Sequence, residues 1–342
     1  MINPGKSFSG ISLIICCYNS AWVLPRTLHA LSLQRSVSNL AWEILLIDNN
    51  SSDETAQVFK KFQEENPHLA AQIIFESRQG LSHARIAGYD AAKYPILIYC
   101  DDDTPICEDY LQKAFDFMRE HPQAGMCGGL GIPVFEAEPD SRILPYLDRY
   151  ASGPQAAEGS CDITERGFVF GAGMVVRKSA METIFNCGFE FSSLGRTGKM
   201  LTGGEDVELG HAIRAAGYQI HYLADLKYEH ILPARRLTWV YINRMAYGNG
   251  YSTVVMPWPK TLFIYKSHPV YVAIWTFFQV LQRGIPVWLG RATPDQELDF
   301  SAIRGALNGV AVEFFGLFEK RRKARGFYRS LMTHARERVG IS

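Results

Sequence analysis

The chain has 342 residues, 47% hydrophobic and 20% charged, which suits one large domain or a domain with an extension and excludes global disorder. Its formal net charge is +0, which removes any bulk electrostatic case for nucleic-acid binding. The seven cysteines form no C-x-x-C pair, a pattern that fits reduced thiols in a cytosolic compartment better than a disulfide framework.

Met1–Gly10 is short and polar and carries no apolar signal-peptide region, so export by that route is not expected. The next ninety residues alternate. Ile11–Cys16 predicts a strand, and Leu24–Leu33 a helix with Leu24, Leu28 and Leu31 on one face. Glu43–Ile47 predicts a second strand. Ser51 and Glu54 read as a capping box opening the helix Asp53–Glu65, which stops at Asn66-Pro67. Ala71–Phe75 is a third strand, Leu81–Ala92 a helix, and Pro95–Cys100 a fourth strand. Alternating strands and helices with near-continuous apolar strands imply an α/β fold, a mostly parallel sheet with helices on both faces.

Ligands of such sheets sit outside the carboxyl ends of the strands. Polar residues collect there: Tyr18-Asn19, Asp48-Asn49-Asn50, Ser77-Arg78, and then Asp101, Asp102 and Asp103 in a row. Adjacent carboxylates repel, and a hard divalent cation would relieve the repulsion. An isolated acidic triplet is more often a solvated turn; four polar strand ends together read as one ligand site.

From about residue 125 the pattern changes. Gly125–Gly131 is glycine-rich and Gly167–Arg177 is mixed. Glu205–Ala216 predicts a helix ended by Gly217, and Tyr218–Leu223 a strand. After Pro257 and Pro259 the chain turns aromatic and helical, so a boundary is expected near Met256: a catalytic domain over 1–255 and an extension over 256–342. The apolar stretch Pro269–Val280 falls short of the roughly 20 residues needed to span a bilayer.

No G-x-G-x-x-G or G-x-x-x-x-G-K-[ST] follows the first strand, where Cys17-Tyr18-Asn19-Ser20 stands. A D-x-D-x-[TV] phosphatase motif fails in both registers of the triplet, with Pro105 or Cys100 in the wrong place. The ordered segments ISLIICCYN (Ile11–Asn19), IDNNSSDET (Ile47–Thr55), QGLSHARIAG (Gln79–Gly88), YCDDDT (Tyr99–Thr104) and GGEDVEL (Gly203–Leu209) resemble the family 2 glycosyltransferases of GT-A fold, over roughly residues 10–250.

The resemblance implies roles. By resemblance Tyr18 would lie near the nucleotide base with Asn19 in the nucleotide site, and Asp48 would accept a hydrogen bond from the base, as with uridine-type donors, with an Asx turn opening the polar loop the alternative for Asp48. Arg78 and Arg85 flank the nucleotide, with a surface helix charge the alternative for Arg85. Asp101 and Asp103 look like a D-x-D pair holding Mg²⁺ or Mn²⁺ against the donor diphosphate, while Asp102 leaves the register open. Asp206 is the general base and Glu205 supports it or binds the acceptor; two acids complementing a helix dipole is the plainer alternative. His230, ahead of Arg235-Arg236, is implied near the metal or diphosphate, although a lone His is more often structural. Arg244 and Gly248 lie in the family's helix after the core, or simply pack. The partners implied are a nucleotide-diphosphate sugar and a glycan or lipid-linked acceptor of bacterial-type polysaccharide synthesis. The Q-x-x-R-W motif of processive synthases is absent, which points to one sugar per cycle.

Two other classes stay in view. A nucleotidyltransferase would carry an early glycine-rich basic loop, absent at Cys17–Ser20. A non-catalytic sugar-nucleotide-binding module would have no use for Glu205-Asp206. In the extension, Phe263, Tyr265, Tyr271, Trp275, Phe277, Phe278 and Trp288 precede Lys320, Arg321, Arg322, Lys323, Arg325 and Arg329. Aromatic segments beside basic clusters suit the surface of an anionic membrane, here its cytoplasmic face. A helical cap on the core or a homodimer contact is the alternative.

Overall fold

Alternate residues of the first strand serve opposite faces of a sheet. In the computed structural model, Ile11, Leu13, Ile15 and Cys17 join one buried cluster and Ile14 the other. The structure describes residues 10–35, 40–157, 159–193, 195–196, 201–256, 269–313 and 316–339. Pro257, Pro259, Phe263 and Tyr265, and the side chains of Tyr271, Arg321 and Arg325, lie outside the described residues.

The strands β1 (Ile11–Cys17), β2 (Trp42–Asp48), β3 (Ala71–Phe75) and β4 (Ile96–Asp101) run parallel. The same alternation holds in β2 and β4: Ile44, Leu46, Ile96, Ile98 and Cys100 face one way, and Leu45, Ile47, Leu97 and Tyr99 the other. Burial on both faces is why these strands read as apolar runs. The helices α1 (Leu24–Ser32), α2 (Thr55–Glu65) and α4 (Tyr110–Glu120) cover the first face. The second is covered by α3 (Leu81–Ala91), α5 (Lys178–Asn186) and α6 (Glu205–Ala215). With β5 (Ala124–Phe135), β6 (Cys161–Asp162), β7 (Met174–Arg177) and β8 (Gln219–Leu232), one eight-stranded sheet has the order β3-β2-β1-β4-β7-β5-β8-β6. β7 is antiparallel to β4 and β5, whereas β5 and β8 are parallel. This is the expected α/β architecture.

Two local expectations are corrected, and one stretch to which no element was assigned proves to be a strand. The glycine-rich Gly125–Gly131 lies within β5, a 12-residue strand. The strand expected to end at Leu223 continues to Leu232, because a register shift absorbs residues between Tyr222 and Lys227 and pairing with β5 then resumes. His230 therefore sits inside a strand, opposite Pro133. The Ser51–Glu54 capping box does not form: Ser51 Oγ accepts from Asn19 N at 3.0 Å, and Thr55 N donates to Asp53 Oδ1 at 3.0 Å.

Beyond the sheet, α7 (Trp239–Val255) packs against the helix Pro294–Glu313, and the helices Pro269–Trp288 and Gly316–Val339 complete the C-terminal part. Among the described residues no helix is long and apolar enough to cross a membrane.

One turn into α6, Glu208 is buried and accepts from Ser192 N through both oxygens at 3.1 Å, which ties down the loop before α6. Burial pushes its carboxyl from the ordinary 4.5 up to about 7, against the hydrogen bonds from Ser192. The folded chain thus holds a proton that the unfolded chain releases near 4.5. Stability from this site is full below that value and is lost as pH rises through about 7. Glu208→Gln is expected to match the wild type at pH 4.5 and exceed it at pH 8 by on the order of 3 kcal/mol, measured by urea unfolding. Parallel pH profiles for the two proteins would refute the assignment.

Candidate active site

The register of the parallel strands sets the level of their ends. Cys17 pairs with Asp48, Cys16 with Asp101, and Asp48 with Phe75, so four polar strand exits open on one edge. There a cleft of about 700 Å³ is lined by Tyr18, Arg85, Asp101, Asp102, Asp103, Glu205, Asp206 and His230 among others. The ends of β1, β2 and β4 and the start of α6, about 100 residues later, meet at this cleft, whereas the exit of β3 at Ser77-Arg78 does not line it.

Asn19, Asp48 and Arg78 do not line it. Asp48 Oδ1 accepts from Ser51 N at 3.0 Å, and Asn19 Oδ1 accepts from Ser52 N at 2.8 Å. Both shape the loop behind Tyr18. Arg78 folds back on Glu76, donating at 3.0 and 2.8 Å, with most of its side chain in solvent.

Each aspartate of the triplet has a different surrounding. Asp102 accepts a short hydrogen bond from Ser20 Oγ, while its backbone carbonyl accepts from Thr27 Oγ1 at 2.7 Å. Burial, with the Asp103 and Asp101 charges, pushes the Asp102 carboxyl up to about 7. Asp101 is also raised, by burial and then by Asp103. For Asp103 burial works in the same direction, but His230 and Arg236 overcome it and hold the carboxyl well below the usual range. Arg236 Nη1 lies 2.8 Å from Asp103 Oδ2, and His230 Nε2 lies 3.5 Å from Oδ1.

Facing the triplet, Gly204 takes φ +104°, a left-handed turn that opens α6 on Glu205. Asp206 Oδ2 accepts from Gly171 N at 2.9 Å, and Oδ1 from Val207 N at 2.9 Å. Glu205 is buried, and burial raises its carboxyl despite Arg85. Arg85 proves to be buried rather than a surface charge. Its Nη1 lies 3.5 Å from Glu205 Oε1 and its guanidinium 5.8 Å from the Tyr99 ring centre. Burial disfavours its charge, yet Glu205, Asp101 and Asp206 more than compensate. Arg85 Nη1 and Glu205 Oε2 have no hydrogen-bond partner among the described residues. Buried polar atoms of that kind are completed by a water, an ion or a ligand, or serve a catalytic role.

Sequence reasoning missed Arg166, Phe170 and Arg196, which also line the cleft. Arg166 stacks 4.5 Å from Phe168 and 5.1 Å from Phe170. Their segments carry no periodic signal. Arg236 was legible only as a basic residue after His230.

Among the described residues no three His, Cys, Asp or Glu side chains form a metal-binding group on their own. Mg²⁺ is commonly held by one or two carboxylates with substrate phosphates supplying the rest. Half-buried Asp101 and buried Asp103, whose charges repel, fit that kind of oxygen donor set.

A family model described as glycosyl transferase family 2 matches residues 12–185, just over half of the chain. Polypeptide N-acetylgalactosaminyltransferase 11 of Xenopus tropicalis is 26% identical over 262 residues, covering 71% of this chain and 40% of that protein. The chain spans less than half the length of the curated relatives first matched. Among solved structures, mannosyltransferase PcManGT from Pyrobaculum calidifontis, in complex with GDP-Man and Mn²⁺, superposes with a TM-score of 0.52 at 15% identity, over 96% of this chain and 86% of that one. S. aureus TarS 1-349 in complex with UDP-GlcNAc gives a TM-score of 0.50 at 15% identity, over 97% of this chain and 92% of that one. These likenesses show a shared GT-A-type fold, and the match over residues 12–185 places the chain in glycosyl transferase family 2.

Proposed function

We propose that the chain is an inverting glycosyltransferase that moves a sugar from a nucleotide-diphosphate sugar, uridine-type by first choice, to a hydroxyl of a glycan or lipid-linked acceptor. The observation that carries this reading is the convergence of Asp101–Asp103 and Glu205-Asp206 on one cleft around Arg85. The enzymes matched above are named for sugar transfer, and the two solved neighbours hold sugar nucleotides, UDP-GlcNAc and GDP-Man.

Tyr18, on the loop set by Asn19 and Asp48, offers a face to the base. Arg85, whose Nη1 is ion-paired with Glu205 but has no hydrogen-bond partner, offers its charge to the anionic side of the donor. Asp101 and Asp103, with His230 beside them, would hold Mg²⁺ or Mn²⁺, which when bound neutralises charge on the nucleoside diphosphate as it leaves. Asp206, fixed by Gly171 N, takes the acceptor hydroxyl proton. The oxygen then bonds to the anomeric carbon as the bond to the diphosphate breaks on the opposite face. Glu205 orients the acceptor through its free Oε2.

Asp206→Asn is expected to lower transfer roughly 10²–10⁴-fold while leaving nucleotide affinity unchanged. Loss of nucleotide binding in the same variant would assign Asp206 to the donor instead. Screening UDP- and GDP-sugars with Mn²⁺ should raise the melting temperature and show slow donor hydrolysis, and excess EDTA should abolish both. An unresponsive protein in all of these would sink the reading.

We further infer peripheral attachment to a membrane, because Trp275, Phe277, Phe278 and Trp288 of the helix Pro269–Trp288 are 49–60% exposed. The full chain should co-sediment with anionic liposomes at low salt, and a chain left in the supernatant would end this part of the proposal.

A further inference from the structure

A second cavity of about 510 Å³ lies against α7 and shares Leu201 with the main cleft. Tyr241, Met245, Asn249 and Thr253 of α7 line the main cleft, whereas Trp239, Val240, Arg244 and Tyr247 line the second cavity, joined by Arg304 from the helix Pro294–Glu313. Residues four apart share a helix face, so α7 is the wall between the two spaces.

Most polar groups of this second wall are already matched. Ser301 Oγ donates to Asn243 Oδ1 at 2.7 Å, and the Trp239 indole N–H donates to Glu297 Oε2 at 2.6 Å. Arg244 and Arg304 differ: both are exposed, and among the described residues neither forms an ion pair. Two unpaired guanidiniums beside apolar surface match a phosphate far better than a neutral sugar.

Apolar side chains lead away from the cavity, through buried Phe300 to exposed residues beyond it. The Arg304 guanidinium lies 5.6 Å from the Phe300 ring centre, and Phe300 meets Trp288 edge-on at 5.8 Å. Trp288, Ile285 and Leu289 are then 59%, 53% and 63% exposed. A charged head site thus runs into an uncovered apolar strip.

We propose that this cavity is an acceptor-side site for an amphiphilic phosphate ester. Its phosphate sits against Arg244 and Arg304, and its apolar chain lies on the exposed strip of Trp288, Ile285 and Leu289, which buried Phe300 supports from beneath. The role of this ligand as acceptor rests on the transfer reading above; its binding does not. Arg244, expected from sequence to belong to the family's post-core helix or to pack, is here a positioning residue for the acceptor.

The test uses the full chain with UDP and Mn²⁺ in excess, so that the donor cleft is filled. Octyl phosphate below its micelle concentration is titrated by calorimetry, with octanol and inorganic phosphate in parallel. Octyl phosphate is expected to bind at least about 10-fold more tightly than either, and Arg244→Gln/Arg304→Gln to weaken it at least about 10-fold. UDP affinity should be unchanged in the double variant, which also serves as the control for folding. Equal octyl phosphate affinity in both proteins overturns the site, and octanol or inorganic phosphate binding as tightly overturns the amphiphilic ester. If the wild type binds no UDP, the uridine-type donor reading fails, while an Arg244- and Arg304-dependent octyl phosphate signal still upholds this site.

Discussion

Arg85 is 2% exposed and within electrostatic reach of Asp101, Glu205 and Asp206. Those acids come from the end of β4 and the start of α6, and without a cation between them their charges would repel across a buried cleft. Removing one partner of a buried charge group leaves the rest uncompensated, which costs more than the pair contributes. Arg85 therefore decides whether the two halves of the site can face one another. Its own position traces back to β2. Asn49, at the end of that strand, accepts from Gly80 N at 2.8 Å and donates to the carbonyls of Glu76 and Arg78 at 3.1 and 2.7 Å. That fixes the start of α3, and one turn later Arg85 points over Tyr99, whose hydroxyl donates to the Arg85 carbonyl at 3.3 Å.

A second charge arrangement depends on β8. Because the strand resumes after its irregularity, His230 and the following turn with Arg236 reach back to Asp103. Ile231 N also donates to the Asp103 carbonyl at 2.9 Å, so backbone and side chain are held by the same segment. The three aspartates thereby divide: Asp103 is kept ionised by cations, Asp102 is engaged by Ser20, and Asp101 faces Arg85. One acidic run thus yields three chemically different carboxyls.

The strands β1 to β4 were legible because burial on both faces writes an uninterrupted apolar run, and their acidic or polar exits were legible because each run stops abruptly. Asp101–Asp103 and Glu205-Asp206 could be paired only through the family resemblance, since no spacing rule links residues a hundred positions apart. β5, and β8 beyond Leu223, were hidden for different reasons. Glycines mask the periodicity of β5, and Ala224-Asp225 interrupts that of β8 where the register shifts. Ser51 followed a local capping rule in sequence and lost it to a tertiary partner, Asn19. Arg78 and Arg85 look alike in sequence, yet only Arg85 faces the sheet interior, because it lies on the buried side of α3 with Ser82 and Gly88.

The same logic of helix faces governs α7. Its buried residues Ile242, Met245 and Ala246 hold it against the core, so its remaining residues must divide between two open sides. Asn249 and Thr253 line the main cleft with Asp206, and Arg244 and Tyr247 line the second cavity. Leu201, common to both spaces, immediately precedes the Thr202-Gly203-Gly204 turn into Glu205. A molecule in the second cavity that touches Leu201 therefore touches the segment that leads into α6. An acceptor long enough to touch both sides would have its reactive hydroxyl placed by contacts on the far side of the helix, and binding of this kind lowers the entropic cost of aligning the reacting atoms.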